Sequence, residues 1–100
     1  MKPIDYSNAT YNDLIGRLTG LRERVLAAWR RCGPCTTEQL AEWSDISILT
    51  LRPRTTELYQ MGFVIYQGEG IYRAATTEET QAHFARLRRE ATELQAELAL

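Results

Sequence analysis

No stretch of this chain is apolar for the ~20 residues that a membrane-spanning helix needs; charged or polar residues interrupt every run. Histidine occurs once and cysteine twice, so a four-ligand zinc site would need two copies of the chain to contribute. Positive charge is not in excess either: 12 Lys/Arg against 13 Asp/Glu give a formal net charge of -1. Binding to a polyanion through a global positive field is thereby excluded, and any such binding needs a local cluster of cations. The opening residues Met1 to Tyr6 lack the apolar segment of a secretory signal, so a cytoplasmic location is expected and the Asn8-Ala9-Thr10 sequon is read as accidental. No nucleophile–base–orienter set, phosphate-binding glycine loop or paired-carboxylate cleft is visible. Neither catalysis nor a cofactor is expected.

What remains is ordinary globular composition, 44% hydrophobic and 25% charged over 100 residues, enough for one independent core. Charge is unevenly spread. Residues 1–75 hold nine Lys/Arg and eight Asp/Glu, whereas residues 76–100 hold three and five, so the C-terminal part is acidic.

Hydrophobic spacing predicts mostly helix. An N-terminal helix begins near Thr10, with Asp13 favouring its positive end and Leu14, Leu18, Leu21 and Val25 on one face. Gly16 and Gly20 weaken it and predict a break near Thr19-Gly20. From Leu21 the stripe continues through Val25, Ala28, Trp29 and Cys32 until Gly33-Pro34 stops it. A short helix capped by Thr36 or Thr37 follows, with Leu40, Ala41 and Trp43 as its apolar contacts, closing at Ser44-Asp45. The third helix is placed from Thr50, with Ile46–Leu49 as a tight turn. A start at Ser47 would bury Pro53 deep in the helix at a cost of ~3 kcal/mol, whereas from Thr50 the missing amide falls in the first turn, where amides are unpaired anyway. Leu51, Thr55, Leu58 and Gly62 then share the inner face with Met61 on its flank, while Arg52, Pro53, Thr56, Glu57 and Gln60 point outward. Gly62 ends the helix. Phe63–Gln67 and Ile71–Ala74, around Gly68-Glu69-Gly70, read as a hairpin. Thr76 and Glu79 form a capping box for a last helix of ~23 residues.

This order of elements resembles the winged helix-turn-helix superfamily, closest in character to MarR-like and other small prokaryotic or phage regulators. Gly33 to Glu42 looks like its first helix-turn-helix element, Thr50 to Leu58 like its recognition helix, and Met61-Gly62-Phe63-Val64 like the approach to its wing. The expected fold class is mainly α with a small β-hairpin wing and a long C-terminal helix. The expected parts are a helical extension (1–19), the winged helix-turn-helix (20–75) and a coiled-coil-like dimerisation helix (76–100). One departure stands out: Thr55 occupies an inward position where such domains place Leu or Ile. Its methyl packs and its hydroxyl bonds back, or the helix is rotated from this register.

The resemblance implies binding of double-stranded DNA, and with it transcriptional regulation, with the third helix in the major groove. The expected contacts are Arg52, Arg54, Thr56 and Gln60 to base edges, Thr50 to a phosphate and Arg73 from the hairpin to the backbone or minor groove. Arg30 and Arg31 are weaker candidates. Thr80, Phe84, Leu87, Ala91, Leu94 and Leu98 recur as a heptad seam. Phe84, Leu87, Ala91, Leu94 and Leu98 are therefore expected to pair two chains into a homodimer, or else to fold back on Leu14, Leu18 and Leu21. The alternative function is a protein–protein adaptor on the same scaffold, using Tyr59, Tyr66 and Tyr72 as an aromatic contact patch. Cys32-Gly33-Pro34-Cys35 spells a thioredoxin motif, but Cys32 ends a helix, beside the negative end of its dipole, and the strands of a thioredoxin sheet are missing. His83 is expected on the flank of the terminal seam.

Overall fold

A computed structural model describes Gly16, Leu18 and residues 20–98. The expected helix from Thr10 through Leu14 lies outside the described residues, as does Thr19. Gly20 sits just ahead of the first described helix at φ 60°, a conformation suited to glycine and in keeping with a break there.

Helix α1 (Leu21–Cys32) carries Glu23 in its first turn and Arg30 and Arg31 in its last, each favourable to the helix dipole. It buries Val25, Leu26, Ala28 and Trp29. Gly33 closes it by donating its amide to the Trp29 carbonyl at 3.0 Å, and Pro34 cannot continue it. The chain then runs through β1 (Cys35–Thr36), a two-residue strand, into α2 (Thr37–Ser44). Thr36 caps α2 reciprocally with Gln39: the Gln39 amide donates to the Thr36 hydroxyl and the Thr36 amide to the Gln39 side chain. Asp45 stops α2 in the left-handed region at φ 62°.

Helix α3 runs from Ile48 to Met61 with Ser47 as its cap, two residues earlier than expected. The Thr50 and Leu51 amides both donate to the Ser47 carbonyl, at 3.0 and 2.9 Å, so Ile46–Leu49 is not a separate turn. Pro53 therefore stands inside the helix. The carbonyl it cannot serve is that of Leu49, an exposed residue in the first turn of the helix. Burying Leu51 fixes the register on the opposite side. The inner face holds Leu51, Thr55, Leu58 and Met61 as expected, and Gly62 ends the helix at φ 85°, with the Phe63 amide bonded to the Leu58 carbonyl at 2.9 Å.

Strands β2 (Val64–Gly68) and β3 (Ile71–Ala74) form the hairpin. Glu69 and Gly70 turn it, both at positive φ, and an irregularity between Tyr66 and Gly68 shifts the register. The expected three-residue loop is thus a two-residue turn after a bulge. β1 pairs antiparallel to the free edge of β3, with Cys35 opposite Tyr72 and Thr36 opposite Ile71, giving the order β1-β3-β2. The chain is mainly helical with a small three-stranded antiparallel sheet and a long C-terminal helix.

Trp29, Phe63, Leu40, Leu51, Leu58, Val25 and Val64 make up the centre of the core. Helix α4 (Thr77–Leu98) begins at the Thr76–Glu79 capping box: the Glu79 amide donates to the Thr76 hydroxyl at 3.1 Å and the Thr76 amide to the Glu79 carboxylate at 2.9 Å. Its first turns are fastened to the end of α3. The buried Thr80 hydroxyl donates to the Gly62 carbonyl at 2.8 Å, and His83 Nε2 lies 3.1 Å from the Gln60 carbonyl. Phe84 is buried in the chain's own core, which corrects its place in an intermolecular seam. The heptad stripe divides instead: Thr80 and Phe84 serve the body, Leu87 and Ala91 are half-buried, and Leu94 and Leu98 stand 57% and 79% exposed. Of the N-terminal leucines, Leu18 packs against the core and Leu21 is exposed; Leu14 lies outside the described residues.

Candidate nucleic-acid interface

The inner stripe of α3 dictates what its outer stripe is. At 100° per residue, Leu49, Arg52, Pro53, Thr56 and Gln60 fall within about 100° of arc, on the side of the helix away from Leu51, Thr55 and Leu58. All five are exposed. Leu49, the second residue of the helix, is 84% exposed, and Arg52 is the one charged member of the stripe.

Thr55 is what holds this face outward. Its hydroxyl accepts the Trp29 indole N–H at 3.0 Å, between two buried residues. A leucine could not satisfy that donor, so the polar residue at a core position follows from the tryptophan above it. The hydroxyl bonds across to α1 and not back into its own helix, and the α3 register expected from the sequence stands.

The cations are less available than the sequence implied. Arg52 projects from the outer stripe but meets the Glu38 carboxylate at the start of α2, with side chains 60% and 63% exposed. Hydrogen bonding from its own backbone amide, and then from Arg52, holds the Glu38 carboxyl below the ordinary range. Water screens so exposed a pair, which holds Arg52 weakly and opens readily for a competing anion. Arg54, expected at the base edges, is turned inward. Its guanidinium pairs with Glu57 at 2.8 Å, and its Nε is buried and finds no acceptor among the described residues. Glu57 in turn takes Arg22 Nε of α1 at 2.6 Å, so Glu57 is not an outward residue either. Arg54 thus pairs within α3, and the carboxylate it shares with Arg22 is what joins the two helices.

Arg73 is likewise withdrawn. Both of its terminal nitrogens bond Glu79, at 2.8 and 2.7 Å, and one also reaches the Ala74 carbonyl at 3.2 Å. The fork raises the Arg73 pKa and, together with the Thr76 amide, lowers the Glu79 carboxyl to about 2. A bidentate pair fixes both groups in orientation, so Arg73 ties β3 to α4. Thr50 is half-buried in the first turn of α3, Thr56 donates to the Arg52 carbonyl at 3.2 Å, and Gln60 is exposed beyond them. Of the six residues expected at DNA, Arg52, Thr56 and Gln60 share one open face, with Thr50 at its margin. Arg54 and Arg73 lie elsewhere. A cleft of about 300 Å³ lies beside this face, lined by Thr37, Glu38, Arg52, Thr56, Gly70 and Tyr72. It joins the starts of α2 and α3 to the hairpin tip.

Sequence reasoning missed Leu49 and two of the three carboxylates that take up the arginines; pairing of the α3 arginines with Glu57 was the alternative the sequence offered, and Arg54 takes it. For Leu49 a signal existed, since a leucine off the inner stripe with no core position to fill marks an exposed site. For Glu38 and Glu79 as arginine partners there was none beyond their charge. Tyr59 and Tyr66 are exposed, whereas half-buried Tyr72 packs at a tilt between Tyr66 and Trp29, at ring-centroid distances of 4.9 and 5.8 Å, so the three tyrosines do not form one open patch. Cys35 is buried in β1, and burial followed by the neighbouring Cys32 pushes its thiol up, opposite to the shift that activates a nucleophilic thiolate. Among the described residues no three metal-ligating side chains come together, and no helix is long and apolar enough to cross a membrane. No family model, curated protein or solved structure matches the chain.

Proposed function

We propose that this chain is a winged helix-turn-helix protein that binds duplex DNA through the outer stripe of α3. The observation that carries the reading is that stripe: an uncovered helix face, seated on a rigid inner register, bearing Arg52, Thr56 and Gln60 in line. The order helix, short strand, helix, helix, hairpin, with the short strand added to the hairpin's edge, supports the winged-helix assignment. In this reading α3 enters the major groove, where Arg52 reaches guanine or a phosphate and Gln60 an adenine edge. The hairpin approaches the backbone with its turn, not with Arg73. A second copy docks through the distal part of α4, with Leu94 and Leu98 at the contact, and doubles the contacts made to DNA.

The test is duplex selection from a random pool, followed by affinity against salt for wild type, Arg52→Ala and Glu38→Gln. Arg52→Ala is expected to lower affinity on the selected site by ~1–3 kcal/mol if it reads guanine, or to flatten the salt slope by about 0.9 if it meets a phosphate. Glu38→Gln releases Arg52 and removes a repelling charge, so it is expected to tighten binding. Absence of any duplex binding overturns the reading. One observation favours a protein-binding adaptor instead: Trp43 and Leu49, near the α2–α3 turn, are both exposed apolar side chains. In that case Glu38→Gln has no counterpart effect on DNA.

A further inference from the structure

The geometry points to Leu49 as a specificity-determining residue that packs against the C5-methyl group of a thymine in the major groove. This rests on the duplex-binding reading of α3 and names the base which one end of that face selects. Leu49 follows the first residue of α3 and is 84% exposed, the most exposed of the large apolar side chains described. It adds nothing to the core, which lies on the opposite side of the helix. It heads the same stripe as Arg52, Thr56 and Gln60, three, seven and eleven residues on. In a helix laid into the major groove, the N-terminal residues reach deepest toward the base edges.

The composition of the stripe favours this occupant over a protein. A partner that takes a helix into an apolar groove reads anchors at i, i+3 or i+4, and i+7, and from Leu49 those positions hold Arg52, Pro53 and Thr56. Two of the three are polar groups that such a groove would strip of water without partners. The major groove matches the mixture. It offers donors and acceptors for Arg52, Thr56 and Gln60, and among the four bases one apolar feature, the thymine methyl, for an aliphatic side chain. Ser47 holds the position: its side chain caps the Leu49 amide at 3.3 Å and its carbonyl takes the Thr50 and Leu51 amides, which fixes where the Leu49 side chain leaves the helix.

The test replaces each thymine of the selected duplex in turn by uracil, which lacks only the methyl group. Wild type is expected to lose about fourfold in affinity at one position, the effect of one methyl group returned to water. Leu49→Ala is expected to bind the thymine duplex about as weakly as wild type binds that uracil duplex, and to be indifferent to the replacement. Because Leu49 lies outside the core, its thermal unfolding should match wild type, which separates loss of contact from loss of fold. If wild type binds duplex but ignores every replacement, or if Leu49→Ala responds to uracil as wild type does, the assignment is overturned while the duplex-binding reading stands. If no duplex binds, both fall together.

Discussion

Replacing Thr55 by valine keeps the shape of the side chain and removes the acceptor that the Trp29 indole N–H has among the described residues. Both residues are buried, so water cannot take the place of the lost partner, and an unsatisfied buried donor costs ~1–3 kcal/mol. The methyl that replaces the hydroxyl offsets up to ~0.8 kcal/mol. A net loss of about 1–2 kcal/mol is expected, a large share of the ~5–15 kcal/mol that holds a typical domain together. Urea unfolding followed by far-UV circular dichroism reads the change as a midpoint lowered by on the order of 1 M, given slopes of ~1–3 kcal/mol per molar. The same substitution in a Trp29→Phe background, which has no indole donor, should be neutral or stabilising. Equal losses in the two backgrounds, or a Thr55→Val protein as stable as wild type, would show that the hydrogen bond is not what places threonine in this core.

Three further outcomes follow from the same structure. Gly62→Ala puts a Cβ 2.6–2.9 Å from His83 ring and Cβ atoms at φ 85°, so the left-handed cost of ~1–2 kcal/mol adds to a displaced His83, and thermal unfolding should fall by at least ~5 °C. The carboxyl of Glu79, lowered to about 2 by Arg73 and the Thr76 amide, contributes stability that is complete above the ordinary carboxylate range and lost as pH falls toward 2. Unfolding midpoints across pH 2–5 should therefore slope less steeply for Glu79→Gln than for wild type, and equal slopes would refute the role of this pair. Wild type should sediment as a dimer at tens of micromolar, and Leu94→Ser with Leu98→Ser as a monomer of unchanged monomer stability, because both side chains are exposed. A wild-type monomer would refute pairing through α4.

The sequence by itself determined those features whose cause is local. The Gly33-Pro34 stop, the Thr36 cap, the inner stripe Leu51–Thr55–Leu58 ending at Gly62, the hairpin and the Thr76–Glu79 capping box all rest on residues a few positions apart, where spacing and backbone preference suffice. Tertiary structure decided the rest. Strand β1 has two residues and no period of its own; it exists because β3, some 36 residues on, offers an open edge. The start of α3 lies at Ile48 and not at Thr50, because Pro53 is tolerated inside a helix whose first turn is exposed at Leu49 and whose inner face is fixed by buried Leu51. Position along an element shows where Arg54 and Arg73 stand and not which groups they meet. Glu57 and Arg22 lie 35 residues apart, and Arg73 meets Glu79 only because the chain reverses between β3 and α4. Charge is carried by long side chains whose partners are chosen in space, so composition showed how few cations could be free, and only the fold showed which carboxylates take them up.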